Sequence, residues 1–394
     1  MSMSRSAARL GMGIIVGGLL GMGATVVQRE LLRRAGTHLI DWEAVRQIAR
    51  RRLGAAGAPL SAADRSAAEA FYRAELLRIE PVVAEAIGAE LPRALETPSV
   101  VDRLEWIDLN LATFEQLFGR VEQIVMEGMS AADTPGRAFA RIVNRSVGNQ
   151  QLGLLMAFLA RKVLGQYDVS LLAAAPAAAA RGRLTFVEPN IAATAASLGV
   201  PPAQFRTFIA LHEATHAFEF EAYPWLRDHF AASVAETLEL LAADSGGLAA
   251  RLRGAMRGRG GHWLERMMTP AQLAAFRRTQ ALMSLLEGYS NHVMNDAGER
   301  LLPGFARLHE RFERRNEARG ALERAILRLT GLDLKMEQYV AGERFVGAVL
   351  TARDRAFLNR VWEGPDRLPD LAEIQHPQRW IDRIEGRPAG ERVS

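Results

Sequence analysis

His212-Glu213-Ala214-Thr215-His216 holds the residue types and spacing most able to do chemistry in this 394-residue chain. Positions i and i+4 are one helical turn apart, so on a helix both imidazoles leave the same face. Two imidazoles so placed can share one Zn2+ ion at about 2.1 Å each. Glu213, rotated about 100° from His212 on a helix, falls beside such an ion, where a carboxylate can take a proton from an activated water. Chance puts this five-residue pattern in roughly one chain of this length in a hundred. The flanks Ala210-Leu211 and Ala217-Phe218 are uncharged, and Phe205, Phe208, Ile209 and Phe220 would bury the helix. The competing reading is a pair of core histidines satisfied by carbonyl groups.

A catalytic zinc site takes three protein ligands and keeps one position open. Position 222 is Ala, so no third His follows at the spacing of a metzincin, and a carboxylate is the natural completion. Glu287 is the first choice. It stands inside the apolar stretch Ala281 to Met294, where an unpaired carboxylate would be costly and a metal would satisfy it. Glu236 is the rival, because it lies 20 residues past His216, as in thermolysin-like enzymes; Glu239 and His292 are the remaining candidates. Around these, Asn291 could orient an imidazole, and Tyr289 could donate a hydrogen bond to an oxyanion. The expected site is therefore Zn2+ on His212, His216 and Glu287, with Glu213 and Tyr289 in catalytic roles.

Composition narrows the alternatives. The chain has no Cys, which excludes disulfides, thiolate ligands and cysteine nucleophiles. Hydrophobic residues are 49% and charged residues 24%, so a large core is available and disorder is a poor reading of the whole. The net charge is +4 and Lys occurs only at 162 and 335. The Arg is interleaved with acids, without the basic, aromatic-lined stripe that nucleic-acid binding requires, so no nucleic-acid partner is expected. Leu10 to Val27 is uncharged and flanked by Arg, with glycines at 13, 17 and 21. A glycine-rich helix buried against the protein body is the leading reading; a membrane contact through residues 10–27 and a cleaved signal are the alternatives. A cytoplasmic protein, with or without that contact, is expected.

The elements that must position the site read as helix after helix. Asp41 caps a helix over Trp42 to Leu53, and Ser61 caps one over Ala62 to Ile79, with a further helix over Pro81 to Ala89. Val101 to Met129 and Ala138 to Leu164 follow. Val169 to Leu172 and Arg183 to Val187 read as a small antiparallel hairpin across an alanine-rich loop, and Leu184 to Val187 could offer an edge to an extended peptide. Pro201-Pro202 opens the helix that carries the histidines. Later helices are expected at Arg227 to Ala243, Ala249 to Met256, Gly261 to Met268, Pro270 to Met294 and Phe305 to Leu329, with two helices or one long one over Leu334 to Asn359. The fold class is mainly α, with a small β-hairpin next to the active-site helix. The organisation is an N-terminal glycine-rich hydrophobic segment over 1–38, a helical domain over 39–180 and a catalytic helical domain over 181–394.

The chain also resembles a family. Trp106-Ile107-Asp108-Leu109-Asn110, Arg161-Lys162-Val163-Leu164-Gly165-Gln166-Tyr167-Asp168, Phe186-Val187-Glu188-Pro189-Asn190-Ile191, Leu211 to Phe220, Pro224-Trp225-Leu226-Arg227, Glu287-Gly288-Tyr289 and Asn359-Arg360-Val361-Trp362-Glu363-Gly364-Pro365 are similar to stretches of a zincin-like metallopeptidase family associated with biosynthesis of the deazaflavin coenzyme F-420. That resemblance runs over about residues 40 to 385. It implies a mostly helical fold with a zincin-type core, hydrolase activity, and zinc on His212, His216 and Glu287. It implies no substrate. The expected function is zinc-dependent hydrolysis of a peptide or other amide. The alternatives are a non-catalytic protein that keeps zinc for structure and a membrane-associated scaffold.

Overall fold

Short side-chain oxygens start the first two helices among the described residues. Asp41 accepts a hydrogen bond from the Ala44 amide at 3.0 Å ahead of α1 (Trp42–Leu53), and Ser61 accepts one from the Asp64 amide at 3.1 Å ahead of α2 (Ala62–Ile87). The structure is a computed structural model that describes residues 40–91, 95, 98–127, 135–167, 183–243, 268–317 and 333–387. The chain continues through β1 (Ser99–Val101), α3 (Arg103–Glu127), α4 (Pro135–Ala160), β2 (Gly165–Tyr167), β3 (Leu184–Val187), α5 (Glu188–Leu198) and α6 (Pro202–Ala222). Then come α7 (Pro224–Ala243), α8 (Pro270–Leu301), α9 (Phe305–Glu317), α10 (Asp333–Ala352), α11 (Arg355–Leu358), α12 (Leu371–Gln375) and α13 (Pro377–Glu385), with 3-10 turns at Asn359–Trp362 and Pro365–Arg367. The fold is mainly α with one small sheet, as the sequence pattern requires.

Several element boundaries differ from the sequence reading. The helices expected on either side of Pro81 are one, α2. Pro81 removes only the bond to the Leu77 carbonyl, and Leu77 is 70% exposed on the solvent side, while Ile79, Val83, Ala86 and Ile87 continue the buried face. The strand paired with Leu184–Val187 is Gly165–Tyr167; residues 169–172, expected to fill that place, lie outside the described residues. So do the helices expected near 249–256 and 261–267, and the segment 1–38. Among the described residues no helix is long and apolar enough to cross a membrane.

The sheet has the order β1-β3-β2, with β1 parallel and β2 antiparallel to β3. All four residues of β3 are buried. Leu184–Val187 is therefore a central strand, paired on both sides, and cannot present the edge expected of it; β2 is an outer strand instead. Alternation along a strand makes this sheet the seam between two hydrophobic clusters. Val100 and Phe186 face a large cluster built on α2, α5, α6, α8 and α10. Val101 and Val187 face a smaller one built on α1, α3 and α4. Tyr72 of α2 stacks on Phe186 with ring centroids 3.9 Å apart. The sheet thus joins strands from both sides of residue 180.

Around the site helix, α6 packs on α2, α8 packs on α6, and α10 packs closely along α8. The Tyr72 hydroxyl donates to Glu188 at 3.0 Å, and Arg206 of α6 donates to the same carboxylate at 2.9 Å. This buried ionic link holds the first turns of α5 and α6 against α2.

Candidate metal centre

Helix α6 opens on Pro201-Pro202, whose fixed φ suits a first turn, and ends at Tyr223 before Pro224. It is buried on nearly every side: Phe205, Phe208, Leu211, Ala214, Ala217 and Phe218 all belong to the main core. A helix apolar all round is one enclosed by the rest of the molecule, so its polar residues need a reason to be there. His212 and His216 lie on one face with ring centroids 4.8 Å apart and planes at 87°.

Glu287 of α8 meets them. Its Oε2 lies 3.6 Å from His216 Nε2, and His212, His216 and Glu287 each offer a ligand atom within 4.8 Å of the others. In a tetrahedron with bonds of 2.0–2.1 Å the ligand atoms are about 3.4 Å apart, so the His216–Glu287 separation is already that of two ligands of one ion. Glu236, the rival carboxylate, is exposed on α7 and pairs with Arg278 at 2.6 Å. Glu239 is exposed as well, and neither it nor His292 joins the converging group.

Glu219 completes the arrangement and is absent from the sequence reading. It is 1% exposed and its Oε2 lies 2.9 Å from His216 Nδ1. A carboxylate there fixes the imidazole with its proton on Nδ1 and presents Nε2 toward Glu287, the way metal-bound histidines are usually held. The available signal was position: Glu219 is three residues past His216 on a buried helix, hence on its face. Burial, reinforced by Glu287, raises the Glu219 pKa to about 7 against the pull of His216. Burial opposes charge on His216, but Glu219 and Glu287 outweigh it and hold the ring well above the ordinary histidine value. His212 has softer support: its Nδ1 lies 3.1 Å from the Met294 thioether, a weak acceptor. Glu219 Oε1, Ser284 Oγ and Ser290 Oγ are buried without a hydrogen-bond partner in the protein. Two imidazoles, a buried carboxylate and a carboxylate behind one ring are the donor set of a catalytic zinc ion, and these residues fit one.

Glu213 is 7% exposed and turned toward β2. A Cβ at Gly165 would lie 2.6 Å from its Cγ and 2.7 Å from its Oε1, so the carboxylate rests on bare backbone. Strand β2 is clamped on both faces. Gln166 accepts a hydrogen bond from Trp106 Nε1 at 2.8 Å. The Tyr167 hydroxyl donates to Glu221, which also accepts from Arg227 at 2.8 Å. Substituting Gly165→Ala is expected to push Glu213 out of place and lower turnover by about 100-fold, with zinc content unchanged; a variant with wild-type turnover would show that the contact carries nothing. Tyr289 follows Glu287 by two residues, about 200° round the helix, and its hydroxyl donates to Asn359 Oδ1 at 2.7 Å. Asn291 and His292 are half-buried.

The sequence pattern of a zincin-like metallopeptidase family matches residues 40–381, which is most of the chain and includes every residue of this centre. This chain belongs to that family. The zincin-like protein is also similar to a candidate hydrolase with a novel fold from Chloroflexus aurantiacus, known from its crystal structure. The two are 39% identical, the match covers 89% of this chain and 100% of that one, and the TM-score is 0.66. Curated protein sequences give no match. Family membership supports a zinc hydrolase in general terms and leaves the substrate open.

Proposed function

We propose that this zincin-like protein hydrolyses amide bonds, with a peptide as the substrate class. The convergence of His212, His216 and Glu287 carries the reading, with Glu213 next to His212 in sequence. Zinc held by the three residues would lower the pKa of a water and polarise a carbonyl group. Glu213 takes the proton of the attacking water and passes it to the leaving amine. Glu219 keeps His216 in the tautomer that binds metal. Gly165 leaves Glu213 room.

Strand β2 supports an extended substrate. The Val187 amide donates to the Leu164 carbonyl at 2.8 Å. In an antiparallel ladder the hydrogen-bonded pairs alternate, so Gln166 and Thr185 form the next such pair, and Gly165 and Tyr167 turn their backbone N–H and C=O groups outward. A peptide strand laid there would pass beside Glu213. A closed structural zinc site would need a fourth side chain, and the converging group among the described residues has three members. Tyr289 enters an oxyanion role only if its hydroxyl leaves Asn359.

Zinc titration of the purified chain tests the ligand set. Glu287→Ala is expected to weaken binding by about 100-fold or more, Glu236→Ala to leave it unchanged, and a peptide library to be cleaved only by the zinc-loaded form. Wild-type protein that binds no zinc, or a Glu287→Ala variant that binds it normally, would remove the proposal.

A further inference from the structure

The stretch Asn359 to Trp362 has no part in the chemistry above, yet it touches both helices that carry the ligands. Trp362 is 3% exposed. Its ring stacks on Tyr223, the last cap of α6, with centroids 5.4 Å apart and planes at 18°. Its other contact is edge-on with Tyr289 of α8, at 5.1 Å and 83°. Tyr223 is one turn past Glu219, the partner of His216; Tyr289 is two residues past Glu287. Burial first and Glu219 next raise the Tyr223 phenol, which places that ring in the electrostatic neighbourhood of the centre.

The segment is anchored rather than loosely laid on. Arg355 donates to the carbonyls of Glu85 and Ala86 at 2.8 and 2.6 Å, at the end of α2. Asn359 donates to the Ile87 carbonyl at 2.7 Å while accepting from Tyr289. Trp225 Nε1 donates to the Trp362 carbonyl at 2.9 Å. The indole is thus held from α2 and α7 and wedged between the end of α6 and the middle of α8. Its hold on Tyr223 and Tyr289 includes both ring contacts.

We infer that Trp362 is a positioning residue for the metal centre: its ring, packed on both Tyr223 and Tyr289, fixes how α8 is seated against the end of α6, and with it the distance between His216 and Glu287. The inference rests on the metal-site reading above. Removing the ring frees to shift two helices that otherwise hold His216 Nε2 and Glu287 Oε2 3.6 Å apart.

The test compares two buried tryptophans of the C-terminal region. Trp380 is 0% exposed, packs edge-on against Phe345 and Phe357, and donates to the Arg367 carbonyl at 2.8 Å; it serves as the structural control. Full-length wild type, Trp362→Leu, Trp362→Phe and Trp380→Phe are titrated with Zn2+ against a chromophoric chelator, and their Co2+ spectra and metal-free unfolding midpoints are recorded. Trp362→Leu is expected to lose about tenfold or more in zinc affinity and to shift the Co2+ bands. Trp362→Phe should recover most of that loss. Trp380→Phe should lower the midpoint and leave both metal readouts alone. Equal zinc affinity in wild type and Trp362→Leu overturns the inference while leaving the metal site standing; an equal loss in Trp380→Phe overturns it too. Wild type that binds no zinc overturns the parent reading and this one with it. Should Trp362→Leu not fold, Trp362→Met takes its place: a loss of about tenfold in zinc affinity supports the inference, and wild-type affinity ends it.

Discussion

Glu213→Gln is expected to cut peptide hydrolysis by about 100-fold to 10,000-fold, the range a positioned general base supplies, or about 3–5 kcal/mol in barrier height. The substitution keeps the shape of the side chain against Gly165 and removes its ability to accept a proton. Glu213 stands outside the group of ligand atoms, so zinc content should stay at the wild-type level. That combination, full metal with lost turnover, separates a base from a ligand: removing a ligand loses both together. Single-turnover cleavage on zinc-loaded protein is the measurement. An unchanged rate would mean that some other group takes the proton.

The second large effect concerns a glycine far from the histidines in sequence. Helices α8 and α10 touch backbone to backbone: a Cβ on Gly342 would lie 1.8 Å from the Ser284 carbonyl oxygen, and one on Gly288 would lie 2.2 Å from the Gly342 carbonyl carbon. No side chain can rotate away from such a clash. Gly342→Ala must drive the helices apart by roughly 1.5 Å to restore van der Waals contact, and is expected to cost about 3 kcal/mol or more. Glu287 immediately precedes Gly288, so the displacement should also weaken zinc binding. The matched control is Gly347→Ala on the same helix, where an added Cβ meets nothing within 4 Å; it should be neutral or stabilise by about 0.5–1 kcal/mol through helix propensity. Denaturant midpoints of the two variants check the pair. Similar midpoints for both would show that the close approach does not constrain α8.

Position along one helix was legible from the residues alone, because a helical turn fixes which side chains share a face whatever surrounds it. The His212–His216 pair, the neighbouring Glu213 and the caps Asp41 and Ser61 all follow from contacts within four residues. So did the mainly helical fold class, which rests on apolar periodicity. The strands were harder. β1 and β2 are three residues each, too short for an alternation to show, and their order depends on partners distant in the chain. Hence the sequence pattern points to the wrong hairpin partner for β3 and makes a central strand look like an edge.

The candidate third ligand marks the same boundary. Glu287 and Glu236 are both acids on helices beyond the histidines, and spacing cannot separate them; the packing of α8 on α6 brings one to His216, while the other lies on the surface with Arg278. Glu219 needed both kinds of information, its place on the helix face being local and its enclosure being tertiary. Gly165 and Gly342 read as ordinary glycines until the backbones that crowd them are in place. The sequence by itself determined a pair of imidazoles and a neighbouring carboxylate on one helix. The tertiary structure decided which distant carboxylate joins them and how closely, because that depends on helices whose separation is set by packing and by the absence of two side chains.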